Sequence, residues 1–203
     1  MYFNKIKNKL ILLALSLISF ILMSTGVSAA ETQKTAPVRT LVIISHPYPE
    51  RSVMIKGLKE SVEKIDGVTL RDLESLYGFD TRSIDAQKER ELTRENKRIV
   101  FIFPTHWFNI TPMMKAYMND VWGSSGPGLW QGKEMLVVTT AAGGDSTYGP
   151  SGRTGIELEN MFTSMKASAL HAGMTYLQPL VFKEVSASHL TEYQQQLTDR
   201  LVK

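Results

Sequence analysis

Three short stretches carry the residue types from which a site for a phosphorylated, planar ligand is built. The first, SHPYPERS (residues 45–52), is stiffened by two prolines and ends on Ser52, a residue suited to cap a following helix. Backbone N–H groups of such a loop, together with the helix start, suit a phosphate. His46 in this loop reads either as part of that site or as a hydrogen-bonded turn residue. The second, FPTHWFNITPMMKAYMNDVW (residues 103–122), sets Trp107 and Phe108 in a short loop before a helix that Thr111 caps and Pro112 opens. Loop tips usually carry small polar residues. Two large aromatics there read as a wall for a flat ligand or as a flap folded back over the sheet. The third, TTAAGGDSTYGPSGRTG (residues 139–155), is rich in small residues that let a backbone approach a ring closely, and Tyr148 adds a hydroxyl. Together they suggest a phosphate at the first loop and a planar ring between the second and third. Flavin mononucleotide has that shape.

Other chemistries lack their residues. No lysine follows the glycines, so the third loop is not a nucleotide-hydrolase phosphate loop. There is no G-x-S-x-G nucleophile elbow, which removes the serine hydrolases of α/β sheets. No histidines or carboxylates stand at metal-ligand spacing; His171 reads as structural and His189 as a surface residue. The chain has no cysteine, hence no disulfide, thiolate metal site or cysteine nucleophile.

The chain has 203 residues, with 23 Lys and Arg against 20 Asp and Glu. Its first part differs from the rest. Lys5, Lys7 and Lys9 precede the uncharged run LILLALSLISFILM, and a small-residue stretch ends at Ala29 and Ala30. That layout predicts a secretory signal peptide over residues 1–29, with an uncleaved anchor as the rival. Without the three leader lysines, basic and acidic residues balance at 20 each (23 − 3 against 20). The high isoelectric point therefore gives no reason to expect nucleic acid as a partner. The expectation is an exported protein with no stable membrane span once the leader is cleaved. A short polar linker over residues 30–37 follows, then one domain over 38–203.

The domain alternates between apolar runs and amphipathic helices. Residues 41–44, 99–103 and 135–140 read as strands buried on both faces, residues 68–72 as a half-exposed edge strand, and residues 174–182 as a fifth. Residues 54–65 have helical spacing and end at Gly67, a natural cap. The charged stretch IDAQKERELTRENK reads as a solvated helix whose charges need no partner. Residues 156–172 and 189–202 are the remaining helices beside the one opened by Pro112. Strand and helix in alternation imply a parallel sheet with helices on both faces. The fold class expected is a flavodoxin-like three-layer sandwich with a five-stranded parallel sheet in order 2-1-3-4-5, its ligand beyond the carboxyl ends of the strands.

HPYPERS, FPTHWFNITPMMKAYMNDVW and TTAAGGDSTYG, in this order, resemble the NAD(P)H–quinone oxidoreductase family of flavodoxin-like flavoproteins, and in particular its small bacterial branch, which includes ancillary proteins of glutathione-gated potassium efflux. The resemblance runs from about Leu41 to the C-terminus. It implies that His46 and Ser52 hold the flavin phosphate. It places Pro104, Thr105, His106, Trp107, Phe108 and Asn109 along the flavin ring, with Thr140, Ala141, Ala142, Gly143 and Gly144 on the ring's other edge. It gives Tyr148 a part in the hydride step. FMN is the implied cofactor, with FAD as a variant, NADPH or NADH as donor, and a quinone or similar electrophile as acceptor. A homodimer with the site at the subunit boundary is also implied. Three features depart from the family pattern: Ile55 where an asparagine is common, TTAAGG for the usual TTGG, and Arg153 and Thr154 where some members keep a histidine. The alternative reading is an exported flavin-binding or regulatory protein without efficient turnover.

Overall fold

The computed structural model describes residues 37–123 and 127–203, and residues 37–203 form one compact unit. The leader and all but the last residue of the linker lie outside the described residues. Strands β1 (Thr40–Ile44), β2 (Val68–Asp72), β3 (Arg98–Pro104), β4 (Glu134–Thr140), β5 (Thr175–Tyr176) and β6 (Leu180–Phe182) form one parallel sheet. Its order is β2-β1-β3-β4-β5, with β6 also pairing with β4, so β5 and β6 occupy the fifth position in succession. The expected last strand is thus interrupted. Pro179 lies in the gap, and a proline cannot donate to a ladder.

The helices are α1 (Val53–Val62), α2 (Leu73–Tyr77), α3 (Ala86–Glu95), α4 (Pro112–Tyr117), α5 (Thr163–His171) and α6 (Leu190–Val202). A π-helical turn, Met118–Trp122, extends α4. Because strand side chains alternate, the apolar runs feed both faces. Val42, Ile44, Val100, Ile102, Leu136 and Val138 pack with α1 and α6. Leu41, Ile43, Ile99, Phe101, Phe103 and Val137 pack with residues of α2, α4 and α5, and Leu92 of α3 lies against the same cluster. This is the three-layer sandwich expected.

Three local expectations need correction. α1 ends at Val62, capped by Glu63, before Gly67; that glycine has φ 79° and instead turns the chain into β2. Residues 156–172 begin as a 3-10 turn at Leu158–Phe162, and only from Thr163 are they an α-helix. The charged helix α3 does have partners. Glu89 is fully buried, and its Oε1 accepts from Arg71 of β2 at 2.6 Å and from the Tyr77 hydroxyl at 2.6 Å. Arg90 donates from Nε to Val121 O at 2.9 Å, tying α3 to the π turn.

Burying one carboxylate beside one guanidinium makes each the other's compensation. Arg71→Met should therefore destabilise the fold by about 3–5 kcal/mol, since it strands a buried charge. The double replacement Arg71→Met with Glu89→Leu should recover most of the loss. Urea denaturation of the two variants checks both statements.

Candidate functional site

The register of the sheet sets where the loops emerge. Ile44 pairs with Ile102, and Pro104 with Thr140, so β1, β3 and β4 release their loops at one edge. One residue further on, Thr105 N–H donates to Thr140 O at 2.8 Å. The Thr105 and Thr139 hydroxyls are hydrogen-bonded at 2.8 Å. The second and third loops are thus fastened together at their bases.

The first loop starts in the core. Ser45 Oγ donates to Glu74 Oε1 at 2.7 Å and is also hydrogen-bonded to Thr111 Oγ1, which accepts Met114 N–H at 3.2 Å as the cap of α4. Glu74 is buried, and burial raises its carboxyl above the usual range. Beyond Ser45, His46 Nδ1 accepts Tyr48 N–H at 2.9 Å, which leaves the proton of the neutral ring on Nε2. The His46 ring meets His106 edge-on at 5.6 Å, joining the first loop to the second. Burial, and then the neighbouring His106, lower the His46 pKa to about 4. Its imidazole is therefore neutral at pH 7. Ser52 caps α1 as expected, its Oγ accepting Ile55 N–H at 3.1 Å. The N–H groups of Val53 and Met54, in the first turn, have no intrahelical acceptor. On its outer side this loop, Glu74 and Ser75 of α2, and Phe79 beyond that helix bound an open groove of about 360 Å³.

The second loop makes a tight turn in which Asn109 N–H donates to His106 O at 3.1 Å. Both central residues are left-handed, Trp107 at φ 47° and Phe108 at φ 62°. Primed hairpin turns of this kind usually carry Asn-Gly; aromatics in the left-handed region are strained, at a cost of order 1–3 kcal/mol each. Trp107 is 92% exposed, so it does not fold back over the sheet. Phe108 meets Tyr148 edge-on at 6.2 Å, joining the second loop to the third.

In the third loop Thr140 and Ala141 are buried, while Ala142 is exposed. Ala141 N–H donates to Phe182 O at 2.8 Å, and Gly143 O accepts Glu184 N–H at 3.2 Å. A Cβ on Gly143 would lie 2.8 Å from Thr147 Oγ1, and one on Gly144 would run into the side chain of Glu184, which is exposed. Tyr148 is buried, and burial raises its phenol, which stays protonated as a donor.

A single feature unites the two loops. The N–H groups of Trp107, Phe108, Ala142, Gly143 and Gly144 have no acceptor among the described residues. Successive free amides are donors available to electronegative atoms. A flavin ring edge, lined with nitrogen and oxygen acceptors, fits that donor set, and the start of α1 with Arg51 beside it fits the phosphate. Sequence reading missed Ser45 and Glu74. Glu74 sits in a helix of only five residues, where no periodicity marks an inward-facing acid. Among the described residues no cluster of His, Asp and Glu is arranged to hold a metal, and no helix is long and apolar enough to cross a membrane.

The chain matches the flavodoxin-like fold family over residues 38–201 and belongs to it, as an NAD(P)H–quinone oxidoreductase-like member. General stress protein 14 of Bacillus subtilis (strain 168) is 33% identical over 175 residues, 78% of this chain and 98% of that protein. An uncharacterized NAD(P)H oxidoreductase of the same organism, YrkL, is 30% identical over 162 residues, 76% of this chain and 90% of that one. A general stress protein 14 from Treponema denticola, crystallised with FMN, shares the fold with a TM-score of 0.71 at 24% identity, over 80% of this chain and 95% of that one.

Two outcomes follow from this geometry. Trp107→Gly should stabilise the fold by about 1 kcal/mol, because it relieves a left-handed φ without losing buried area; Trp107→Ala should not. Thermal melts of the two variants check this. For His46 the folded pKa, about 4, lies below the ordinary 6.5. The unfolded chain is therefore protonated first as pH falls. Stability should decline from about pH 6.5 to about pH 4 and gain no further penalty from this group below that. His46→Gln should flatten that part of the curve, and an NMR titration of the ring reads the pKa itself.

Proposed function

We propose that this protein binds flavin mononucleotide at the rim of β1, β3 and β4 and reduces quinones or similar electrophiles with NADPH or NADH. The observation that carries the reading is the set of unsatisfied amides at Trp107, Phe108, Ala142, Gly143 and Gly144, beside the open start of α1. The FMN held by the Treponema denticola protein of the same fold supports it, as does the oxidoreductase relative YrkL. A bound flavin would supply the redox chemistry, taking hydride at N5 from reduced nicotinamide and passing it to the acceptor.

The chain's residues bind, orient and exclude water. Val53 and Met54 N–H, with Ser52 and the Arg51 guanidinium nearby, hold the phosphate. His46 offers an Nε2 proton without adding a buried charge. Trp107 and Phe108 give a flat apolar wall, and the Tyr148 hydroxyl donates to the reacting edge. The proposal includes export through the leader at residues 1–29. It also includes a homodimer with the site at its boundary, which the 92% exposure of Trp107 favours, since a second body would cover that ring.

The test is spectroscopic. The purified chain mixed with FMN should turn yellow, bleach with NADPH or NADH, and recover on addition of a quinone. Colour that never bleaches with either nicotinamide contradicts the enzyme reading and leaves a flavin carrier. Trp107→Ala should weaken FMN binding about tenfold at an unchanged melting temperature, and undiminished affinity would remove the ring from the wall.

A further inference from the structure

A fourth segment reaches the rim, the turn Lys183-Glu184-Val185 that leaves β6. Three non-glycine residues among those described have a left-handed backbone, and all stand at the rim: Trp107, Phe108 and Glu184, the last at φ 49°. Backbone strain of this kind persists only where the surroundings over-determine it. Here the turn is held against the third loop by Ala141 N–H to Phe182 O at 2.8 Å, Glu184 N–H to Gly143 O at 3.2 Å and Val185 N–H to Ala141 O at 3.2 Å. The side chain of Glu184 lies on Gly144, in the place that a Cβ there would take. Gly144 is buried, and its N–H is one of the free rim amides. Lys183 is paired with Asp145, and among the described residues the Glu184 carboxylate has no hydrogen-bond or ion-pair partner.

We propose that the Glu184 carboxylate is a flavin-binding group, the acceptor for the N3–H of the isoalloxazine ring. The assignment rests on the rim being a flavin site and adds the residue that recognises the ring's own N–H. The pyrimidine edge of that ring alternates, with a carbonyl oxygen on either side of a single N–H. Free amides serve the oxygens; the N–H between them needs an acceptor at the same place. The backbone of the third loop has few to spare. Thr140 O takes Thr105 N–H, Ala141 O takes Val185 N–H, Gly143 O takes Glu184 N–H, and Gly144 O takes the N–H groups of Thr147 and Tyr148. Over residues 140–144 only Ala142 O accepts no backbone N–H from a described residue. An ionised carboxylate accepts and never donates, and a hydrogen bond to it is stronger than one to a neutral carbonyl. The same charge repels an anion from the Gly144 amide, so the ligand edge that fits this corner is neutral and offers a hydrogen.

The experiment is a binding cycle on the full chain, read by the quenching of flavin fluorescence. FMN and N3-methyl FMN, in which a methyl replaces the ring hydrogen, are titrated into the wild type, Glu184→Ala and Glu184→Gly. Loss of a hydrogen bond to a charged group should weaken FMN about tenfold in both variants. N3-methyl FMN has no hydrogen to give, so the variants should bind it no less tightly than the wild type does. Glycine suits a left-handed backbone, so Glu184→Gly should melt higher than the wild type while binding FMN less well. That split separates a lost acceptor from a damaged turn. FMN bound equally by the wild type and both variants overturns the inference and gives the N3–H to Ala142 O. Equal losses for the two flavins overturn it as well, since they mark a disturbed loop and no particular hydrogen bond. Binding of neither flavin to the wild type overturns the reading of the rim itself, and the role of Glu184 with it.

Discussion

Everything at the rim depends on the lock between β3 and β4. Pro104 is in register with Thr140, and the hydrogen bond from Thr105 N–H to Thr140 O extends the ladder one step beyond the strand. Two central strands buried on both faces cannot slip by one residue without turning their inner side chains to the other layer. The second and third loops therefore start from a fixed separation. The buried run from Thr111 through Ser45 to Glu74 does the same for the first loop, tying the end of β1 to the starts of α2 and α4. Ser45, Thr111 and Glu74 Oε1 are held by one another and by the cap of α4, while Glu74 Oε2 is buried without a partner.

On that rigid base the loops are unusual in a consistent direction. The turn at Trp107 and Phe108 keeps two aromatics in a left-handed backbone and leaves one of them in solvent. Strain of this sort persists where the surroundings over-determine it, and it clusters at sites of function. The turn leaves two amides without acceptors, and the small-residue loop beside it leaves three more. Amides freed at loop tips are ordinarily taken up by water; here five of them fall in two loops whose bases are fastened together. Pre-set donors of this kind need no reorganisation when a ligand arrives.

Much of the fold was legible because burial on both faces writes a strand as an unbroken apolar run. Residues 41–44 and 99–103 show this, and the alternation of strands with helical crossovers implied the parallel order. The break at Pro179 is also written in the sequence, in a residue that cannot donate. Less was legible at the site. Motif order located the three loops, but the left-handed turn was hidden, since Trp and Phe carry no sign of positive φ as glycine does. Glu89 and Glu74 were invisible for a different reason. A carboxylate's burial is decided by partners on other elements, Arg71 and Tyr77 in one case and Ser45 in the other, and a charge run looks the same whichever face turns inward.

The most direct measurement follows the rim amides themselves. In an amide NMR spectrum of the chain titrated with FMN, the account predicts the largest shifts at Trp107, Phe108, Ala142, Gly143 and Gly144, with a second group at Val53 and Met54. FMN bound with those amides unmoved, and the shifts gathered on another face of the sheet, would contradict it.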